Sequence, residues 1–397
     1  MPEQLRPIIR LQADRDRRVR IGHPWVYSNE VAMTAEAKAL APGTVVNIQA
    51  SDGRPIGVGF FNPRSLFAVR LLSQDARAVI DQDFLRAKLE RALALRDALY
   101  AEPFYRLIHA EADGLPGLII DRFGDVVVAQ LNSAGMDRLS EDLVAALDGV
   151  IAPRTIVLRN DSAARELEGL AREVRLARGE MTGPLELREN GLRFLADLSG
   201  GQKTGWFFDQ RDNRAFMAAL AKDKRVLDLY SYSGGFGVAA AAAGASEVVA
   251  CDSSEPALAL AKQAAALNGV AGRMRFVRAE AFEQMEKLAG EGARFGMVIC
   301  DPPAFVKSQK DLQSGARGYR KLARLGATLV EPGGFLFVAS CSHNMPLDRF
   351  AEEVARGIEQ AGRSGRILRT AGAAPDHPVH PMLPESAYLK AQVLQID

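Results

Sequence analysis

Hydrophobic and polar residues alternate in two short stretches near the start of the chain, at residues 44–48 and 66–72. A period of two is typical of a β-strand with one buried face. The pairs Asp52-Gly53 and Asn62-Pro63 supply the turns between such strands. The pattern predicts a small β-barrel module that ends near residue 75.

A helical period follows between residues 83 and 100, where apolar positions recur at the spacing of an amphipathic helix. Apolar runs at 117–122, 126–131 and 155–158 then predict strands, with a helix around 136–147 between the last two. The pair Asn190-Gly191 is a hairpin signal. We expect an α+β domain over residues 76–198.

Strands and helices alternate after Lys222, which is typical of a parallel α/β sheet. The predicted strands lie at 225–229, 247–251, 275–277, 296–300 and 334–339, with a further pair near 366–370 and 389–396. A helix at 255–267 would begin after the N-cap Ser254. The expected fold is therefore multidomain α/β, and residues 199–397 form a mostly parallel sheet of seven strands.

Composition narrows the class of protein. The 397 residues are 48% hydrophobic and 25% charged, enough for several cores. The net charge is +1, so a nucleic-acid surface would need local clustering of basic residues. No apolar run approaches the roughly 18 residues of a membrane span, and the chain begins without a signal sequence. We expect a cytoplasmic protein with no membrane partner.

The three cysteines, Cys251, Cys300 and Cys341, show no CxxC spacing. Neither a disulfide framework nor a metal site is indicated. Cys251 and Cys300 lie within or at the end of apolar runs and are expected in the core.

A glycine-rich turn, YSYSGGFG at 230–237, follows the predicted strand at 225–229. Open α/β sheets bind nucleotides at such turns, and Gly235, Gly237 and Ala240 also satisfy the permissive dinucleotide fingerprint, so a dehydrogenase is an alternative. Asp252, one strand on, can bind a ribose diol. Glu280 either faces an adenine amino group or is a solvated loop acid. The candidate cofactor-binding residues at these strand ends are Asp228, Tyr230, Ser231, Tyr232, Gly234, Asp252, Ser253, Glu280, Ala281 and Asp301.

Asp301-Pro302-Pro303 ends the fourth predicted strand, and Cys341 follows the fifth. Neighbouring parallel strands end side by side, so a carboxylate and a thiol should meet at one sheet edge. Cytosine C5 is a poor nucleophile. Thiolate addition at C6 converts the ring to an enamine, and an acid at N3 stabilises the charge that forms. The pair predicts methyl transfer to a pyrimidine carbon, with Cys341 and Asp301 as catalytic residues and His343 as either a contributor or a loop histidine.

Two basic clusters are candidate RNA contacts. One lies between residues 305 and 325, beside the predicted catalytic turn, and the other lies in the N-terminal module. Arginine and aromatic side chains suit looped RNA, although a charge run is more often a solvated face. The candidates are Lys307, Arg317, Arg320 and Lys321 in the first cluster and Arg15, Arg17, Arg18 and Trp25 in the second.

Five segments together resemble the ribosomal RNA cytosine-5 methyltransferases of the large-subunit type. They are 15–28 with GHPW at 22–25, QKTGWFFDQR at 202–211, DLYSYSGGF at 228–236, DPPAF at 301–305 and SCSH at 340–343. The resemblance covers nearly the whole chain. It implies a PUA-like RNA-binding β-barrel at 1–75, a central α+β domain at 76–198 and a Rossmann-like class I methyltransferase domain at 199–397.

The resemblance also implies S-adenosylmethionine as cofactor and ribosomal RNA, the 23S RNA of the large subunit, as partner. Its thiol nucleophile maps onto Cys341, and its aromatic segment that closes over the cofactor adds Phe208, Asp209 and Arg211 to the pocket. Ala304 stands where many RNA cytosine-5 methyltransferases carry a second cysteine, so a thiol that assists product release is missing and the base that removes the C5 proton is not identified.

Three alternatives to this function stay open. An amino-group methyltransferase on a purine also uses an Asp-Pro-Pro turn, with an aromatic such as Phe305 to stack the base, but it would not need Cys341. A noncatalytic RNA-binding protein could retain the fold, and the dehydrogenase is third. A homodimer formed through the barrel module is consistent with the sequence.

Overall fold

The computed structural model describes residues 6–198 and 204–397, which form two compact units. The first unit comprises Met1–Gly183, Leu198–Trp206 and Asp376–Pro384, and the second comprises Pro184–Asp197, Phe207–Pro375 and Glu385–Asp397.

A five-stranded sheet begins the first unit. Its elements are β1 (Ile8–Arg10), α1 (Arg17–Arg20), β2 (Trp25–Val26), α2 (Ala35–Ala39), β3 (Thr44–Gln49), β4 (Pro55–Phe61) and β5 (Val69–Ser73). The strand order is β1-β3-β4-β5-β2. Val46 and Ile48 of β3 are fully buried, as the alternation predicts. The second predicted strand begins late, at Val69, because Asn62 N donates to Ala68 O at 2.8 Å and closes a turn over 62–68.

A second sheet, with the order β10-β9-β8-β7-β6, completes this unit. The elements are α3 (Gln82–Leu99), β6 (Phe104–His109), β7 (Leu118–Phe123), β8 (Val126–Leu131), α4 (Ala134–Arg138), α5 (Ser140–Ile151), β9 (Thr155–Asn160), α6 (Ala164–Leu167) and β10 (Glu173–Arg178). The predicted helix around 136–147 is two helices, α4 and α5, separated at Leu139. Helix α3 packs its buried Leu85 and Leu89 into the core of this sheet.

The second unit begins with a hairpin of β11 (Leu185–Glu189) and β12 (Leu192–Ala196). Asn190 and Gly191 have φ of 52° and 77°, the positive values that a two-residue hairpin turn requires. The remaining elements are α7 (Arg211–Ala219), β13 (Arg225–Leu229), α8 (Gly235–Ala242), β14 (Glu247–Asp252), α9 (Glu255–Leu267), β15 (Met274–Arg278), α10 (Ala281–Gly290), β16 (Phe295–Cys300), α11 (Leu312–Leu329), β17 (Val330–Ser340), α12 (Leu347–Gln360), β18 (Gly365–Ala371) and β19 (Lys390–Ile396).

The seven-stranded sheet has the order β15-β14-β13-β16-β17-β19-β18. Strands β13 to β17 pair in parallel, and β19 is antiparallel to both of its neighbours. The mostly parallel sheet expected from the alternation is therefore confirmed. Ser254 caps α9 by accepting a hydrogen bond from Ala257 N at 3.3 Å, also as predicted.

Helices α10, α11 and α12 contribute to the main core of this unit, together with the central strands. Cys251 and Cys300 are fully buried there, in agreement with their expected role in packing. Burial raises the pKa of the Cys251 thiol to about 12 and raises the pKa of Cys300 further, so neither side chain is a thiolate at neutral pH.

Across residues 6–198 and 204–397, no helix is both long and apolar enough to cross a membrane. In the same residues, no cluster of three or more histidine, cysteine or acidic side chains is arranged to hold a metal ion.

Candidate active site

The turn after β13 carries four of the candidate cofactor residues. Tyr230 and Tyr232 have φ of 59° and 47°, left-handed values that are uncommon for aromatic residues and mark functional turns. The Ser231 and Gly234 backbones turn the chain into α8. Tyr232 also contacts the Phe207 ring edge-on, with 5.5 Å between centroids.

Asp228 lies within β13 and is 1% exposed. Its Oδ2 accepts a hydrogen bond from Gly237 N at 2.8 Å. A Cβ at Gly237 would lie 2.9 Å from that oxygen, so only glycine allows this approach. Burial raises the pKa of the Asp228 carboxyl to about 8, although the Gly237 N–H opposes the shift, and the charges of Asp301 and Asp252 raise it further.

The ends of β14 and β15 place the other candidate cofactor residues at the same edge of the sheet. Asp252 accepts hydrogen bonds from Tyr232 N and Ser254 N, both at 2.8 Å. Its carboxylate therefore braces the turn after β13. Ser253 and Glu280 are exposed, and Ala281, the first residue of α10, is buried.

The aromatic segment before α7 is also buried in this unit. Phe208, Asp209 and Arg211 are 1%, 5% and 7% exposed. Asp209 accepts a short hydrogen bond from the Tyr388 hydroxyl. The Arg211 guanidinium lies 3.6 Å from Glu189 of the hairpin and so helps to hold this segment in place. Gln202 and Lys203 of the same motif lie outside the described residues.

The predicted catalytic pair lies at one edge of the sheet. Cys300 of β16 pairs with Val338 of β17, which brings the loops after both strands side by side. The Cys341 sulfur is 4.0 Å from the carbonyl oxygen of Pro302. Cys341 and Asp301 are both partly exposed. A thiol and a carboxyl group therefore lie at the same edge of the sheet.

The Tyr319 hydroxyl of α11 joins these two loops from inside the core. It accepts from Ser340 Oγ at 2.7 Å, lies 2.9 Å from Ser342 Oγ and is 3.4 Å from Phe305 N. Val306 N also donates to Ser342 Oγ at 3.2 Å. The loops that carry Asp301 and Cys341 are consequently held in one arrangement.

Three residues of the site escape sequence reasoning. Gln210 donates to Asp301 Oδ1 at 2.8 Å and so orients that carboxyl group. Tyr319 is one apolar position among many in the pattern of α11, and Lys390 lies within β19. The available signal for Lys390 was a lysine at the start of a strand whose other residues are mostly apolar, because a buried cation needs partners.

The turn after β13 fits an adenosyl cofactor. The hydroxyls of Ser231 and Ser233 are buried and have no hydrogen-bond partner among the residues that the structure describes, so they are available to a ligand. The Asp252 carboxylate and the exposed Glu280 lie at the same sheet edge. These groups match the hydroxyls, amino groups and positive charge of S-adenosylmethionine.

The basic residues after the catalytic turn have different surroundings. Lys307 and Arg317 are exposed, and Arg317 has no ion pair within the described chain. Arg320 is paired with the fully buried Glu353 at 2.6 Å, and Lys321 is paired with Glu286 at 2.8 Å. Arg317 is therefore the best placed of the helix residues to contact a phosphate.

In the N-terminal module, Arg15 and Arg17 are exposed. Arg18 pairs with Glu30 at 2.9 Å and lies over the Tyr27 ring. Trp25 is partly buried, and its indole N–H donates to Glu111 at 2.8 Å. The two exposed arginines keep their charge available, whereas Arg18 and Trp25 also stabilise the module.

Comparison with known proteins agrees with this architecture. Residues 159–391 match the family described as S-adenosylmethionine-dependent methyltransferase, and residues 9–74 match a PUA-like domain. The chain is 37% identical over 393 residues to ribosomal RNA large subunit methyltransferase I of Shewanella amazonensis, covering 98% of this chain and 99% of the relative. It is 38% identical over 377 residues to the protein of the same name from Cronobacter sakazakii, covering 93% and 94%.

Solved structures share the fold. A putative S-adenosylmethionine-dependent methyltransferase from Streptococcus mutans has a TM-score of 0.81 at 20% identity and covers 98% of this chain and 100% of its own. A putative methyltransferase complexed with S-adenosylhomocysteine has a TM-score of 0.83 at 19% identity, with coverage of 99% and 100%. The chain therefore belongs to the S-adenosylmethionine-dependent methyltransferase family, with a PUA-like domain at its N-terminus and S-adenosylmethionine as its cofactor.

Proposed function

We propose that the protein forms 5-methylcytosine in ribosomal RNA of the large subunit through a transient bond between Cys341 and cytosine C6. The observation that carries the proposal is the Cys341 sulfur, 4.0 Å from the carbonyl oxygen of Pro302 beside Asp301. The full-length relatives named ribosomal RNA large subunit methyltransferase I support the substrate class.

In the proposed reaction the Cys341 thiolate adds to C6, and the Asp301 carboxyl, in its protonated form, donates a hydrogen bond to N3 and so stabilises the negative charge that forms on the ring. C5 then carries the electron density that an aromatic cytosine lacks. S-adenosylmethionine, when bound, supplies the methyl group. A base then removes the C5 proton, and the C6–S bond breaks to release the product and the thiolate.

The cofactor would be held by residues at three strand ends. We assign the ribose diol to Asp252 and the adenine edge to Glu280 and Ala281, with Ser253 beside them. Asp228, Ser231 and Gly234 would line the turn, and the Phe208 to Arg211 segment would cover it. The Ser231 hydroxyl, which has no hydrogen-bond partner in residues 6–198 and 204–397, supports this assignment.

The chain is proposed to consist of three domains: a PUA-like domain at 1–75, a central domain at 76–198 and a methyltransferase domain at 199–397. Lys307 and Arg317, beside the catalytic turn, and Arg15 and Arg17 of the PUA-like domain are the proposed RNA contacts with exposed side chains.

Trapping with RNA that contains 5-fluorocytosine tests the mechanism. With fluorine at C5 there is no proton for a base to remove, so the methylated adduct keeps its C6–S bond. We expect a cofactor-dependent covalent complex with the wild-type protein and none with Cys341→Ala. Because the thiol contacts the base, the cofactor affinity of Cys341→Ala should stay within a few fold of wild type. Normal turnover by this variant would refute the proposal.

The same experiment separates the amino-group alternative, which forms no covalent complex. The packing of Phe305 also weighs against that alternative. Its ring is partly buried and lies 4.7 Å from Tyr319 and 6.0 Å from Phe282, centroid to centroid, which leaves less of the ring free to stack on a purine.

A further inference from the structure

Lys390 is a buried lysine next to the segment that carries Cys341. It pairs across the sheet with Ser340 of β17, the residue before Cys341, and only 6% of its surface is exposed. Its Nζ donates to the carbonyl oxygens of Ser342 at 2.6 Å and Tyr388 at 2.7 Å. The amino group is therefore fixed against the backbone of the residue that follows Cys341.

Lys390 and Cys341 interact electrostatically. Burial lowers the pKa of Lys390 to about 8, and the negative charge of a Cys341 thiolate opposes that shift. The interaction is reciprocal, because a cation whose charge is favoured by a neighbouring thiolate favours that thiolate equally. At neutral pH Lys390 is still protonated and can act in this way.

The other ionisable groups near Cys341 are Asp301, Tyr319, His343 and Tyr388. A carboxylate at Asp301, in the loop after β16, would disfavour a nearby thiolate. Tyr319, from α11, stays neutral because burial raises the pKa of its phenol. His343 and Tyr388 stack with 5.2 Å between their rings, and the His343 Nδ1 lies 3.4 Å from the carbonyl oxygen of Glu385.

We propose that Lys390 is a positioning residue that favours the reactive thiolate of Cys341 and holds the turn that aims it. Its ammonium stabilises the sulfur anion, and its two hydrogen bonds hold the Ser342 and Tyr388 carbonyls. At neutral pH the thiol proton passes to solvent, and Lys390 keeps its own proton in this step. This inference rests on the proposed function, in which Cys341 is the nucleophile.

The test follows alkylation of Cys341 by iodoacetamide from pH 6 to 10 in the full-length protein without RNA. Mass spectrometry of the Cys341 peptide isolates its signal from the buried Cys251 and Cys300. Lys390→Gln can still donate to a carbonyl but carries no charge. We expect it to raise the pH midpoint of alkylation by roughly one unit, whereas a purely structural lysine would change the plateau rate and leave the midpoint in place.

The control is Lys287→Gln, an exposed lysine of α10, which should leave the midpoint unchanged. An unchanged midpoint in Lys390→Gln overturns the inference. If that variant does not fold, Lys390→Arg provides the test. Because arginine retains the charge, the midpoint should stay at the wild-type value, and a raised midpoint would contradict the proposal. Alkylation needs no RNA, so its outcome is independent of the fluorocytosine trapping that tests the proposed function.

Discussion

The Asp228 carboxyl binds its proton more tightly in the folded chain than in the unfolded chain. This carboxyl is buried and its folded pKa of about 8 exceeds the ordinary value. The folded chain therefore binds one more proton than the unfolded chain between about pH 4 and pH 8. The stabilisation from this group is fully present below about pH 4. It is lost as the pH rises from about 4 through about 8, by at most about 1.4 kcal/mol per pH unit.

Replacing Asp228 by Asn removes this titration while leaving an oxygen to accept from Gly237 N. We expect the melting temperature of the cofactor-free wild type to fall relative to Asp228→Asn between pH 5 and pH 9, as measured by scanning fluorimetry. The control is Asp223→Asn, at an exposed turn with φ of 61° that asparagine tolerates. Parallel pH curves for Asp228→Asn and wild type would show that this carboxyl does not titrate as described.

The residues of the site differ in how far the sequence predicts them. Asp301 and Cys341 follow from strand order alone, because adjacent parallel strands must end together. Gln210 and Lys390 could not be predicted in this way. Their hydrogen bonds, to Asp301 and to Ser342, join segments that are distant in sequence. Gln210 reaches Asp301 over 91 positions, and no local pattern encodes that contact.

At the scale of elements, helix α11 carries two arginines, three positions apart, that have different surroundings. Arg317 is exposed, whereas Arg320 is paired with Glu353 of α12. Helical periodicity puts both on one side of the helix, but only the position of α12 shows that Arg320 is already engaged. The sequence alone therefore assigns the same role to both.

Substituting each arginine by alanine tests this difference. Arg317→Ala should weaken binding to single-stranded RNA and reduce the slope of log K against log salt by roughly 0.7, with unchanged thermal stability. Arg320→Ala should instead lower the melting temperature and leave the salt slope unchanged, because the buried Glu353 loses one of its two charged partners, Arg320 and Arg349. Filter binding between 50 and 300 mM KCl measures the slope, and an unchanged slope for Arg317→Ala would remove this arginine from the RNA contacts.

At the scale of the whole molecule, the alternation of strands and helices predicts the seven-stranded sheet but not the path of the chain between units. Asp376–Pro384 lies between β18 and β19 in sequence, yet it belongs to the first unit. Hydrogen bonds to a buried charged group hold this segment in the first unit. The Arg96 guanidinium is bound by Asp113 at 2.6 and 2.8 Å and by the Asp376 carbonyl oxygen at 2.9 Å.

The Asp376 side chain should therefore matter for the first unit more than its distance in sequence suggests. Its carboxylate accepts from Arg106 N at 2.9 Å and contacts His377 Nδ1 at 2.8 Å, with no exposed surface. Asp376→Ala removes both of these contacts from a fully buried position, at a cost of roughly 1–3 kcal/mol. Hydrogen exchange should quicken in β6, which contains Arg106, while the strands β13, β14 and β16 keep their protection.

The matched substitution is Asp83→Ala in α3, whose exposed pair with Arg86 at 3.1 Å should contribute no more than about 0.5 kcal/mol. Exchange in β6 should then match wild type. If Asp376→Ala loses protection equally throughout the seven-stranded sheet, the two units unfold together. If exchange in β6 is unchanged, the Arg96–Asp113 pair holds the first unit without this segment. A local loss confined to β6 and its neighbours is the outcome that the buried hydrogen bonds of Asp376 predict.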